Sequence, residues 1–354
     1  MYKQKKNTTS LKNTNLEPQE FFKKFPEIRP TSIVGISDLD ISNISYKWNK
    51  ENIYILDVQG WSRNFKNLNN SNKIPLEILE KTFEFAFEGK DKHKKTRAGG
   101  SSIRDLIEIF MNIFIGKLGE YGTYSNLIKN DIELEDNALD YKVRERGDYD
   151  DYDLKSLSGK YFSIKSSKLK SNFMMLEEKN WTKDGRQSYN FNNDKIDTYD
   201  YHAYTKITSS EKFKYKPTMK AFYINKRSQD DFKNMDIEEQ KNFLKDWIFS
   251  FDWHFDETYL INNEYFKTLI NKRLLLKKNT LIFFDTNNSV GVLKSIAKSN
   301  PNKEPYIKGL FNNKNNYGDR INSSFVLDAT NYYIPLKYMF IIKDYKKDIL
   351  KEII

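Results

Sequence analysis

The stretch Asp148–Lys168, DYDDYDLKSLSGKYFSIKSSK, is the most informative in this chain. Acidic residues lead into a short apolar piece. Ser158-Gly159-Lys160 then supplies a turn, and Tyr161 to Lys165 reads as a second strand. The pattern predicts an antiparallel hairpin. Alternation along the second strand puts Ser163 and Lys165 on one face, and pairing across a tight turn near Gly159 brings Asp153 beside them. Asp151 keeps the face of Asp153 by the same alternation. Asp153, Ser163 and Lys165 are therefore expected to converge on one point.

Such a trio has a chemical meaning. Hydrolysing a phosphodiester at neutral pH requires a nucleophilic water, an offset for charge on the phosphorus oxygens, and a stabilised leaving oxygen. One or two Mg2+ ions meet all three needs. Mg2+ is usually held by one or two carboxylates, with phosphate and water completing its shell. A lysine beside it orients the water and neutralises developing charge. Asp153 is the expected metal ligand, with Asp151 as its substitute. Lys165 is expected to position and activate the water, and Ser163 to line the site. Beyond the lysine, Ser166, Ser167, Lys168 and Lys170 offer small hydroxyls and cations suited to phosphate contacts. The basic loop Lys92–Arg97, with Lys94, Lys95 and Arg97, is a second candidate for gripping a nucleic-acid backbone.

Upstream, Ile103, Leu106, Ile107, Phe110, Phe114 and Leu118 recur at helical spacing. Ser101 or Ser102 can cap this helix, Asp105 suits its first turn, and Gly116 and Gly119 are expected to stop it. Pro75–Phe87 reads as an amphipathic helix with Leu76, Ile78, Leu79, Phe83 and Phe87 on one side. Phe243, Leu244, Trp247 and Ile248 mark another helix. Strands are expected at Ile53–Val58, Tyr199–Ile207, Met219–Asn225, Leu281–Asp285 and Tyr338–Ile342, while Phe173–Leu176 fits a strand or a helix start. Residues 1–20 read as a disordered basic tail and 21–354 as a single domain, with a catalytic core over about 98–250.

With 38% hydrophobic and 15% aromatic residues among 354, the chain can build a substantial core. Most Tyr and Phe fall in apolar runs and read as core. Having no cysteine, it has no disulfide, thiolate nucleophile or cysteine zinc site, which suits a cytoplasmic protein. No apolar run approaches a membrane span, and MYKQKKNTTSLKNTN lacks the apolar segment of a secretory signal. A net charge of +10 favours polyanionic partners, although a lysine-rich coding bias produces the same excess. Three histidines argue against a histidine-based hydrolase, and no phosphate-cradling loop points to ATP. Asp252, His254, Asp256 and Glu257 in FDWHFDE form only a weak metal pattern.

An acidic residue, a short hairpin and a terminal x-Lys, preceded by a glycine-led helix, resemble the PD-(D/E)xK nucleases, among them type II restriction endonucleases. The resemblance covers roughly residues 98–207. Asp153 matches the first acidic position, with Tyr152 where proline is frequent. Ser163-Ile164-Lys165 matches (D/E)-x-K at its lysine only. In the helix, GSSIRDLIEIF from Gly100, Glu108 matches a glutamate that can face the metal. Some family members carry Ser-x-Lys and recover the lost carboxylate further along; Glu177 or Glu178 stands where that would occur. The resemblance implies a central mixed β-sheet flanked by helices in an α/β fold, Mg2+ as cofactor, double-stranded DNA as substrate and a homodimer matching palindromic sites. The alternatives are a non-catalytic DNA-binding or assembly protein, or a nuclease acting on RNA or branched DNA.

Overall fold

The computed structural model describes residues 44–48, 51–55, 72–92, 104–144, 152–168, 173–182, 185–186, 199–214, 218, 220–271, 275–276, 281–283, 324–326 and 329–354. The basic tail expected over residues 1–20 lies outside them.

Three sheets organise these residues. The largest has six strands: β3 (Asn72–Lys73), β4 (Leu154–Lys155), β5 (Tyr161–Lys168), β7 (Tyr201–Glu211), β8 (Phe251–Asn262) and β13 (Phe340–Ile341). Its order is β13-β8-β7-β5-β4, with β3 also paired to β8. β4 and β5 are antiparallel, β5 and β7 parallel, β7 and β8 antiparallel. A three-stranded sheet joins β6 (Phe173–Glu177), β12 (Asn331–Pro335) and β9 (Leu275–Leu276) in that order. A four-stranded one joins β1 (Ile44–Trp48), β2 (Glu51–Ile55), β10 (Leu281–Phe283) and β11 (Ser324–Val326). The helices are α1 (Leu76–Gly89), α2 (Leu106–Lys129), α3 (Lys226–Phe232), α4 (Ile237–Phe249), α5 (Asn263–Asn271) and α6 (Lys347–Ile353). The molecule is thus α/β, with a curled mixed sheet flanked by helices.

The long helix α2 sets the geometry. Its cap is Asp105, whose carboxylate accepts the Glu108 N–H at 2.7 Å. Ser101 and Ser102, the caps expected from sequence, lie outside the described residues. Gly116 and Gly119 do not end the helix, which runs through both and through Gly122 to Lys129. Two of these glycines instead let it lie close on the sheet. A Cβ on Gly119 would stand 2.4 Å from the Ser166 Cβ, and one on Gly122 2.9 Å from the Thr205 Cγ2. Further along, Thr123 Oγ1 shares a hydrogen bond with Thr205 Oγ1 at 2.8 Å. The N-terminal half of α2 buries Phe110 and Phe114 against α1 and Trp253. Each such ring contributes about 1.5–3 kcal/mol of burial.

Three further elements depart from their sequence pattern. The strand expected over Met219–Asn225 does not form across the described Lys220–Asn225: Lys220–Phe222 makes one 3-10 turn and Asn225 caps α3, accepting the Ser228 N–H at 2.9 Å. The capping amide overrides the apolar run, and consecutive Ala221 and Phe222 are both buried, against strand alternation. Tyr338–Ile342 yields only the two-residue β13, because 3-10 turns take up Leu336–Tyr338 and Ile342–Asp344. Leu76 is 60% exposed rather than core, since it opens α1 directly after the N-capping Pro75.

Candidate functional site

The hairpin forms as its sequence dictates. Gly159 adopts φ +88°, a left-handed turn conformation that suits glycine. The Ser156 N–H donates to the Lys160 carbonyl at 2.9 Å, and Leu154 and Lys155 pair with Phe162 and Tyr161. Asp153 lies one step beyond this ladder. Its N–H donates to the Phe162 carbonyl at 3.1 Å, and its Oδ2 accepts the Ile164 N–H. The carboxylate is therefore fixed at the β5 edge beside Ser163, with one oxygen spent on the hairpin. Ser163 is 1% exposed, and its Oγ is buried with no hydrogen-bond partner. Lys165 is half-buried, two positions along on the same side.

The parallel neighbour β7 continues this face. Ser163 pairs with His202, Lys165 with Tyr204 and Ser167 with Lys206. His202 lies under the Phe266 ring, with centroids 3.8 Å apart, and its Nε2 is 3.3 Å from Asn263 Oδ1. Burial pulls its pKa down to about 3 against the opposing Asn263 bond, and the Lys165 charge lowers it further. The ring is neutral, within electrostatic reach of the Lys165 ammonium. The Tyr204 hydroxyl donates to Ser167 Oγ at 2.6 Å. Lys206 is fully buried, with its Nζ 5.5 Å from the Tyr259 ring. Burial lowers its pKa to about 8, and Asp256 partly opposes this. Register shifts here, between Thr205 and Ile207, so Asp256 and Glu257 both stand opposite Lys206. Bulges of this kind often lie beside functional sites and re-aim side chains.

The remaining expected residues fall in different places. Ser166 rests against Gly119 on the helix-packed face, so it and Ser167 face opposite ways. Lys168 ends β5. Glu177 ends β6, in the three-stranded sheet, opposite Asn331 and 3.4 Å from Asn180 Nδ2. Its neighbours Met174 and Leu176 join the same apolar cluster as Phe162 and Tyr204. Glu108 sits in the first turn of α2, eleven positions and about 16 Å along the axis from Gly119. That helix covers the face opposite Lys165. Asp151, Lys94, Lys95, Arg97 and Lys170 lie outside the described residues. On β8, Asp252 pairs with Lys73 at 2.8 Å, and Glu257 with Lys343. Among the described residues no group of three or more histidine or acidic side chains is placed to hold a metal. Nor is any described helix long and apolar enough to cross a membrane.

Tyr204 and Lys206 are additions to the expected site. Their signal was present in YHAYTKITSSE, where His202, Tyr204, Lys206, Thr208 and Ser210 alternate as one polar row. The strand is buried almost throughout, so that row lies in the interior. Asp153 keeps one carboxylate oxygen off the hairpin bond, the hard oxygen donor that Mg2+ takes. Comparison with protein-family models, curated proteins and solved structures finds no match to the chain.

Proposed function

We propose that the chain is a Mg2+-dependent endonuclease of the restriction-endonuclease-like type, cutting double-stranded DNA in the cytoplasm as a homodimer. The observation that carries this reading is the hairpin. Asp153 is tethered at the edge of β5 beside an orphaned Ser163 hydroxyl, with Lys165 next on the same face. The charge of +10 and the resemblance to PD-(D/E)xK nucleases support it. Asp153 would hold the ion, with Glu177 the candidate second carboxylate. When bound, the ion supplies positive charge to the scissile phosphate and lowers the pKa of water. Lys165 orients the attacking water and offsets charge developing on the phosphorus oxygens. The Ser163 Oγ, buried and without a partner, lines the floor of the site beside Asp153. Ser167, locked by Tyr204, and the cations Lys168, Lys170, Lys94, Lys95 and Arg97 hold the flanking backbone.

The test is plasmid cleavage in Mg2+. Wild type gives discrete fragments, and Lys165→Ala loses at least about 100-fold in rate. Equal cleavage by the variant would remove Lys165 from the site. Glu177→Ala and Glu178→Ala, assayed separately, locate the second carboxylate; if both cut normally, neither residue supplies it. A second reading is DNA binding without cleavage. It is favoured by the serine at position 163 and by Asp153 spending an oxygen on Ile164. That reading predicts salt-sensitive binding and intact plasmid under every divalent metal.

A further inference from the structure

The turn after β7 presents a side chain that the fold does not use. Phe213 is 92% exposed, and its backbone adopts φ +72°. This left-handed conformation is unfavourable for a bulky residue. The turn holding it is nevertheless well fixed. The Lys214 N–H donates to the Glu211 carbonyl at 3.1 Å. The Glu211 carboxylate pairs with Lys214 at 2.7 Å and Lys220 at 2.8 Å, and hydrogen bonds from these two lower its pKa to about 2. A locked turn thus holds an aromatic ring out into solvent at a conformational cost. Exposed Lys212 and Lys214 flank the ring, and the sequence continues the alternation as Lys-Phe-Lys-Tyr-Lys over 212–216. Cations that grip phosphates around an aromatic that stacks on bases are a recurrent way to hold or kink nucleic acid.

We propose that Phe213 is a wedge that enters a base step of the DNA duplex, with Lys212 on a flanking phosphate. The choice of duplex DNA as occupant rests on the nuclease reading above; the strained, exposed, cation-flanked ring does not. β7 links the two places. Tyr204 stands beside Lys165, and Glu211 lies seven positions on, about 23 Å at ~3.3 Å per residue. At ~3.4 Å per base step, the wedge meets DNA within about seven steps of the cleaved phosphate.

The experiment scans 2-aminopurine through a 30-base-pair duplex, with Ca2+ replacing Mg2+ so that binding is read without cleavage. Wild type raises probe fluorescence at one step. Phe213→Ala abolishes that rise and binds about 5- to 100-fold more weakly. Phe213→Gly binds as weakly, yet its Tm is no lower than wild type, because glycine accepts the turn geometry. Lys212→Gln flattens the salt dependence by about one charge. If Phe213→Ala keeps wild-type affinity and fluorescence while plasmid is still cut, the wedge is wrong and the nuclease reading survives. Phe213-dependent fluorescence without cleavage in Mg2+ keeps the wedge and ends the nuclease. Loss of self-association with unchanged DNA binding assigns Phe213 to a second copy and overturns the proposal. Absence of any DNA binding overturns both.

Discussion

The two faces of the six-stranded sheet are built from alternate residues of the same strands, and they differ in what the buried polar groups do. On the face under α2, Ser166 meets Gly119, Thr205 meets Gly122, and Ile207 joins the apolar side of the helix. Its hydroxyls are satisfied within the protein: Thr123, Thr205 and Thr258 form a chain at 2.8 and 2.7 Å, and Asn126 donates to Thr258 at 2.9 Å. On the other face stand Ser163, Lys165, His202, Tyr204 and Lys206. Here a hydroxyl is orphaned, a histidine is held neutral and a lysine is pushed down to about 8. Buried polar groups of that kind oppose folding. Apolar residues pack both faces, Phe266 over His202 among them, but the second also carries ionisable groups that packing alone does not call for.

Four substitutions probe the two faces. The largest effect is expected from Phe114→Ala. The ring is fully buried edge-on to Trp253, so its loss costs about 3–5 kcal/mol in urea unfolding. Next comes the pH dependence set by His202. Its folded pKa, about 3, lies below the ordinary 6.5. Between those values the unfolded chain binds a proton that the folded chain refuses, so stability falls as pH drops below 6.5. The loss is about 2 kcal/mol at pH 5 relative to pH 7, and His202→Gln should flatten that part of the profile. Gly119→Ala comes third, at about 1–2 kcal/mol, since the new methyl meets the Ser166 Cβ while helix propensity improves. Adding Ser166→Gly should recover most of the loss; no recovery would mean that close approach is not the role of Gly119. The smallest change is expected from Lys206→Met. Removing a charge whose burial is unfavourable leaves Tm at pH 7 unchanged or raised. A drop of several degrees would show that Lys206 belongs to the stabilising framework.

What the sequence revealed divides along similar lines. The hairpin was legible because its glycine turn and alternation are local, and α2 because apolar spacing persists over many turns. The end of α2 was not: a glycine that admits a neighbouring strand looks the same, in sequence, as one that ends a helix. The parallel pairing of β5 with β7 was hidden too, since it joins segments separated by more than thirty positions. That pairing brings Tyr204 and Lys206 beside Lys165. Glu177 was chosen by its distance along the chain, whereas its place depends on β12, more than 150 positions away. Phe213 was missed among aromatics that are mostly core, because exposure follows from the turn and not from composition.

Asp153→Asn separates the carboxylate's charge from its place in the hairpin. The amide oxygen still accepts the Ile164 N–H, so the hairpin keeps its tether while the charge available to a metal is lost. Cleavage of duplex DNA in Mg2+ is measured alongside thermal unfolding. The variant is expected to keep its Tm within about 3 °C of wild type and to cleave at least about 100-fold more slowly. Cleavage within twofold of wild type would contradict the metal-binding role, leaving Asp153 as a hairpin fastener and nothing more.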